Sequence, residues 1–215
     1  MTGNSLKRIF FQGATFKKSK FYFYLILIFL SFYQYTYAND IKDYEIEGFS
    51  IGESLLDHTS KEYILREIEE NKPVYNYLNN DFGEVYLYGK FKEYEMVSFF
   101  VRPNDKYFTI YSIAGMISYD DRFKKCLAKQ SEIEKEFDKI YKNTRKKKST
   151  NKFQWDPTGE SISQNIAFIF NSGDYVEINC TKYKKSLKIE NNWKDGLQVI
   201  LNTKEISEWF SNRIK

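Results

Sequence analysis

Apolar positions change rhythm along the chain, and each change predicts an element. Residues 1–20 are polar and basic, and Phe21 to Leu30 is an unbroken apolar and aromatic run. A short opening strand, Tyr44 to Phe49, leads to a turn at Gly52. Thr59 or Ser60 caps a helix over Lys61 to Asn71, with Tyr63, Ile64 and Ile68 on its apolar side, Glu62 and Glu67 early or outward, and Pro73 ending it. Period-two segments follow at Glu84–Lys90, Tyr94–Val101 and Tyr107–Ser118, joined by short turns that include Pro103-Asn104-Asp105. They predict an antiparallel meander. Asp120 is placed to cap a second helix running to about Asn143, with Phe123, Cys126, Ile133, Phe137 and Ile140 at helical spacing and a break at Gln130.

After a polar basic stretch, Arg145 to Lys152, read as a solvated linker, strands resume. Ile162, Ile166, Phe168 and Phe170 point inward from one strand, and Asn171-Ser172-Gly173-Asp174 makes a hairpin turn. Val176, Ile178 and Cys180 share one face of the next strand, and Leu197, Val199 and Leu201 mark the last. Asn202 or Thr203 caps a final helix, Lys204 to Arg213, packed through Ile206, Trp209 and Phe210. The order helix, three strands, helix, three strands, helix predicts an α+β fold of antiparallel meanders packed by helices.

Charge divides the chain in two. Residues 1–38 hold five cations (Lys7, Arg8, Lys17, Lys18, Lys20) and no acids, so the remainder carries 28 basic and 29 acidic residues. A basic region, an apolar run and Thr36-Tyr37-Ala38, with small residues three and one before Asn39, form the pattern of a secretory signal. Residues 1–38 are read as a signal peptide or an uncleaved signal-anchor. Residues 39–215 are read as one extracytoplasmic domain, periplasmic or anchored to the inner membrane with the domain outside. The near-neutral remainder argues against nucleic acid as a partner. Cys126 and Cys180, an even pair in an oxidising compartment, are read as one disulfide, the alternative being two buried thiols.

No catalytic constellation emerges. Ile51-Gly52-Glu53-Ser54-Leu55 resembles the first block of the GDSL-type esterases, but Glu53 replaces the family's Asp. The only histidine, His58, stands four residues after Ser54, and the family's C-terminal Asp-x-x-His element has no counterpart. One His and two paired Cys supply no metal set, and no phosphate-binding glycine loop is present. The expected site inventory is therefore no catalytic residue, no metal and no cofactor.

The segment Asp43-Tyr44-Glu45-Ile46-Glu47-Gly48-Phe49-Ser50-Ile51-Gly52-Glu53-Ser54-Leu55-Leu56-Asp57, the Ser-Gly-Asp turn before Cys180, and Val199-Ile200-Leu201-Asn202-Thr203-Lys204-Glu205 resemble an uncharacterised family of exported proteins from AT-rich marine bacteria. The resemblance implies a shared exported domain with a cysteine pair and implies no activity. A looser fold-level likeness is to small periplasmic assembly proteins of the BamE type. The expected function is a non-catalytic envelope binding module that meets a protein or small molecule through sheet tyrosines Tyr86, Tyr88, Tyr107 and Tyr111. The bilayer is met only if the leader stays attached. The alternatives are an envelope hydrolase using Ser54 or carboxylates, and a domain tethered by residues 21–38.

Overall fold

The computed structural model describes residues 40–71 and 81–213; the expected leader and Pro73 lie outside them. The opening strand is a small hairpin, β1 (Glu45–Ile46) and β2 (Phe49–Ser50), because Glu47 and Gly48 both take positive φ and turn the chain back. Helix α1 (Lys61–Asn71) begins where Ser60 Oγ accepts the Tyr63 N–H at 3.2 Å. Strands β3 (Gly83–Tyr88), β4 (Met96–Val101) and β5 (Ile110–Ser118) form the expected meander. Helix α2 (Phe123–Ile140) follows, then β6 (Arg145–Lys152), β7 (Ile162–Ile169), β8 (Tyr175–Lys182), a short α3 (Lys185–Asn191), β9 (Gly196–Asn202) and α4 (Lys204–Arg213). The fold is α+β, and its main sheet is antiparallel throughout, with seven strands in the order β3-β4-β5-β9-β8-β7-β6.

Several sequence expectations change. Residues 145–152 are an edge strand, paired with β7 along their whole length. Lysines mask its period-two signal, yet alternate ones turn to α2: Lys146 Nζ lies 2.9 Å from Glu134 and 2.7 Å from Asp138, and Lys148 also pairs with Glu134. Asp120 does not cap α2; it sits at φ +47° in a left-handed turn, and the helix starts from Arg122 with no side-chain cap. The break at Gln130 is instead a core position, where Nε2 donates to the Gln164 and Ile178 carbonyls, each at 2.8 Å.

Register assigns every strand residue a face. Val85, Val97, Phe99, Ile113, Val199, Leu201, Val176, Ile178, Ile166 and Phe168 share one face, covered by α1, α2 and the β1–β2 segment. The other face carries Glu84, Ser98, Ser112, Asn202, Glu177, Asn179 and Asn165. At one corner α4 packs Ile206, Trp209 and Phe210 onto Phe82, Phe100 and Tyr111 of that second face. The β3 edge is served by α1, where residues four apart line one side. Tyr63 Oη donates to the Tyr86 carbonyl, Glu67 accepts the Tyr86 N–H, and Asn71 donates to the Glu84 carbonyl. Glu67 therefore faces the sheet edge and not solvent.

Cys126 on α2 and Cys180 on β8 are bonded, with Cα atoms 6.0 Å apart and both side chains fully buried. The bridge closes a loop across 54 residues, worth about 4 kcal/mol in the chain-entropy account. The double variant Cys126→Ala/Cys180→Ala is expected to lose about 2–4 kcal/mol of unfolding free energy. Urea titration checks this, and adding reductant to the unaltered protein should produce a comparable loss while leaving the variant unchanged.

Candidate functional site

The four tyrosines expected to form one surface have different surroundings. Tyr86 and Tyr88 stack on β3 with centroids 6.4 Å apart, and Tyr88 is 69% exposed. Tyr107 lies on the turn before β5 beneath Lys106, and Tyr111 is half-buried against Phe82 and Arg102. Ser54 caps the Leu55–Asp57 turn: its oxygen accepts the Leu56 N–H and its hydroxyl donates to the Tyr107 carbonyl at 2.6 Å. His58 packs at a tilt against Phe49 and faces Glu53 at 3.6 Å. A cleft of about 760 Å³ between the sheet and α4 has Phe82, Tyr111 and Trp209 on its walls. Arg102 already covers the Phe82 and Tyr111 rings, at 5.2 and 5.1 Å, and pairs with Glu205.

Two acids on the polar sheet face have raised pKa values. Burial pushes Glu84 up to about 7, against opposing hydrogen bonds from Tyr86 and Ser98, and its Oε2 has no hydrogen-bond partner. Burial also raises Glu177, with Asn179 opposing. β4, β5 and β9 separate their strands. Four strand spacings come to roughly 19 Å, far beyond the ~5–9.5 Å between paired catalytic carboxyls in glycoside hydrolysis. These acids do not converge on one reacting bond.

Convergence occurs instead at the end of the sheet where β6 leaves, β7 begins, β8 leaves and β9 begins. Phe153, Trp155, Tyr183 and Trp193 meet there. Phe153, Trp155 and Tyr183 are near-parallel, with centroids 4.8 to 6.2 Å apart, and Trp193 meets Trp155 edge-on at 5.3 Å. Trp155 is 49% exposed and Trp193 40%. Buried polar groups hold both loops. The Asp156 carboxylate accepts from Thr158 Oγ1, the Thr158 N–H and the Ser161 N–H, and these bonds hold it well below the ordinary carboxyl range. Ser161 Oγ then accepts the Lys184 N–H, joining the first loop to the second.

Asp195 anchors the second loop. One carboxylate oxygen accepts the Tyr183 N–H at 2.9 Å, the other takes Lys188 Nζ at 3.1 Å, and its carbonyl accepts the Tyr119 N–H. Burial opposes the charge on Lys188, but Asp121 and Asp195 outweigh it and hold that ammonium above its usual pKa. Asn192 ends α3 in the left-handed region at φ 53°, which asparagine tolerates better than most residues, and so aims Trp193 outward. Behind Trp193 opens a pocket of about 300 Å³ floored by Met96, Met116 and Gln198.

Sequence reasoning passed over this cluster, although Trp155 and Trp193 both sit in turn-rich polar segments where no apolar stripe can bury them.

Glu84 gives a pH test. Its carboxyl titrates near 4.5 when unfolded and near 7 when folded. The folded chain therefore holds the proton more tightly, and stability fully present below about pH 4.5 is lost as pH rises through 7. Glu84→Gln is expected to exceed the unaltered protein in unfolding free energy at pH 8 by about 3 kcal/mol, and so to melt higher, with the gap narrowing toward pH 5. Thermal unfolding across that range measures it.

Comparison with family models, curated proteins and solved structures gives no match, so the reading of this end of the sheet rests on its geometry.

Proposed function

We propose that residues 39–215 form a non-catalytic binding module that works outside the cytoplasmic membrane and holds its partner at the aromatic end of the sheet. The carrying observation is that Trp155 and Trp193 stand exposed on loops pinned from beneath by Asp156, Asp195 and Lys188. Large aromatics that are rigid before binding give contact area at little ordering cost, and tryptophan dominates such surfaces. The disulfide and the signal-like first 38 residues support an extracytoplasmic address. The hydroxyl of Ser54 directed at a backbone carbonyl, and the distance between Glu84 and Glu177, favour binding over hydrolysis.

Two measurements test this reading. Mass spectrometry of the protein from its own cells should find an N-terminus at Asn39 and neither cysteine alkylated under denaturing, non-reducing conditions. A chain with its leader attached is the tethered form of the same module. A soluble full-length chain inside the cell with both thiols labelled defeats the address.

A photoreactive residue at position 155 or 193 should give covalent adducts in cells, whereas one at exposed Leu65 or Ile140, on other surfaces, should not. Trp155→Ala with Trp193→Ala should weaken capture of the partner by at least about 30-fold while leaving the melting temperature nearly unchanged. Equal adducts at all four positions count against the site.

A further inference from the structure

Resting on that reading of the aromatic end, we propose that its partner is a lipid bilayer surface carrying anionic headgroups. The cluster is not only aromatic. Ile189, on the short helix α3, is 76% exposed and lies four residues from Trp193 in the same loop. An exposed aliphatic side chain in the same loop region as exposed tryptophan suits the boundary between acyl chains and headgroups, where indole rings concentrate. Phe153, Trp155 and Tyr183 pack near-parallel with centroids 4.8 to 6.2 Å apart, leaving no slot between them for a flat base or a sugar.

Charge is arranged to match. Around the adjoining hollow of about 610 Å³, Lys124, Lys125, Lys182 and Lys185 make no ion pair among the described residues. Lys184 and Lys188 are excluded from that set, because Glu160 pairs with the first and Asp121 and Asp195 with the second. The mature chain as a whole has one more acid than base, so this positive end is local and gives the molecule a direction of approach. Lysine stems can lie along an apolar surface with the ammonium at headgroup level, each worth roughly five-fold in partition near an anionic bilayer.

The test uses the chain beginning at Asn39, which contains both apolar cores in full. It is mixed with vesicles of phosphatidylcholine alone, or of phosphatidylcholine with phosphatidylglycerol. Sedimentation with the anionic vesicles only, a blue shift in tryptophan emission, and loss of both in high salt are expected. Lys182→Glu with Lys185→Glu should reduce partition at least 20-fold. Trp155→Ala with Trp193→Ala, which leaves Trp209 as the only indole, should abolish the shift. Circular dichroism shows that each variant is folded.

Equal binding to neutral vesicles, binding that survives the tryptophan and lysine changes, or retention on duplex DNA without vesicle binding overturns the inference. If in-cell adducts at positions 155 and 193 are to a protein and vesicles leave the emission unchanged, the binding end stands and the bilayer falls. If those positions give no adduct and vesicles give no shift, both fall.

Discussion

Strand β9 pairs with β5 on one side and β8 on the other. The remaining strands fall into two sets, β3-β4-β5 and β6-β7-β8, that share no ladder of their own. Every feature that spans the sheet depends on this late, central strand. Helix α2 rests mainly on β8 and partly on β9, and the disulfide fixes it there; α4 follows directly from β9 and covers the Phe82–Phe100 corner. Leu197, Val199 and Leu201 of β9 are almost wholly buried, so the strand that joins the two sets also fills the middle of the core. A contact set of such long sequence range adds a loop-closure cost that must be met before the native contacts form, and the covalent link between residues 126 and 180 removes part of that cost from the unfolded chain.

Polar groups below the surface determine what lies on it. Asp195 and Asp156 are nearly inaccessible, and their partners include backbone amides of the loops that carry Tyr183, Trp155 and Trp193. Glu47 does the same elsewhere. It sits in a left-handed turn and accepts the N–H groups of Lys92, Glu93 and Tyr94; these outweigh desolvation and hold its carboxyl below the ordinary value. In each case a carboxylate replaces the ladder that a loop lacks, and the loop gains a fixed shape without regular secondary structure.

Regular periodicity was legible in the sequence, and buried polar function was not. Helix α1 has the bounds its apolar spacing predicts, and so does α4; the turn at Asn171–Asp174 closes as expected, with Gly173 at φ 94° where a side chain would be strained. The cysteine pairing followed from the even count and the expected compartment. β6 was hidden because an edge strand can carry lysines in succession on both faces, Lys146 to Lys148, when α2 offers Glu134 and Asp138 to the ones that turn toward it. Gln130 was read as a gap in an apolar stripe because nothing local signals two carbonyls waiting above it. The aromatic end went unread for a related reason: its four rings come from two loops about 30 residues apart, and only the antiparallel order of β6, β7 and β8 brings them together.

Both margins of the sheet are closed to further growth, each by a different means. Along β3 the outward amide and carbonyl groups of Tyr86 and the carbonyl of Glu84 already hold side chains of α1. Along β6 a second molecule would have to bring its backbone against a row of cations. Copies of this chain are thereby kept from zipping into ribbons, even where they crowd together at high local density. Any assembly they make has to use loops or faces.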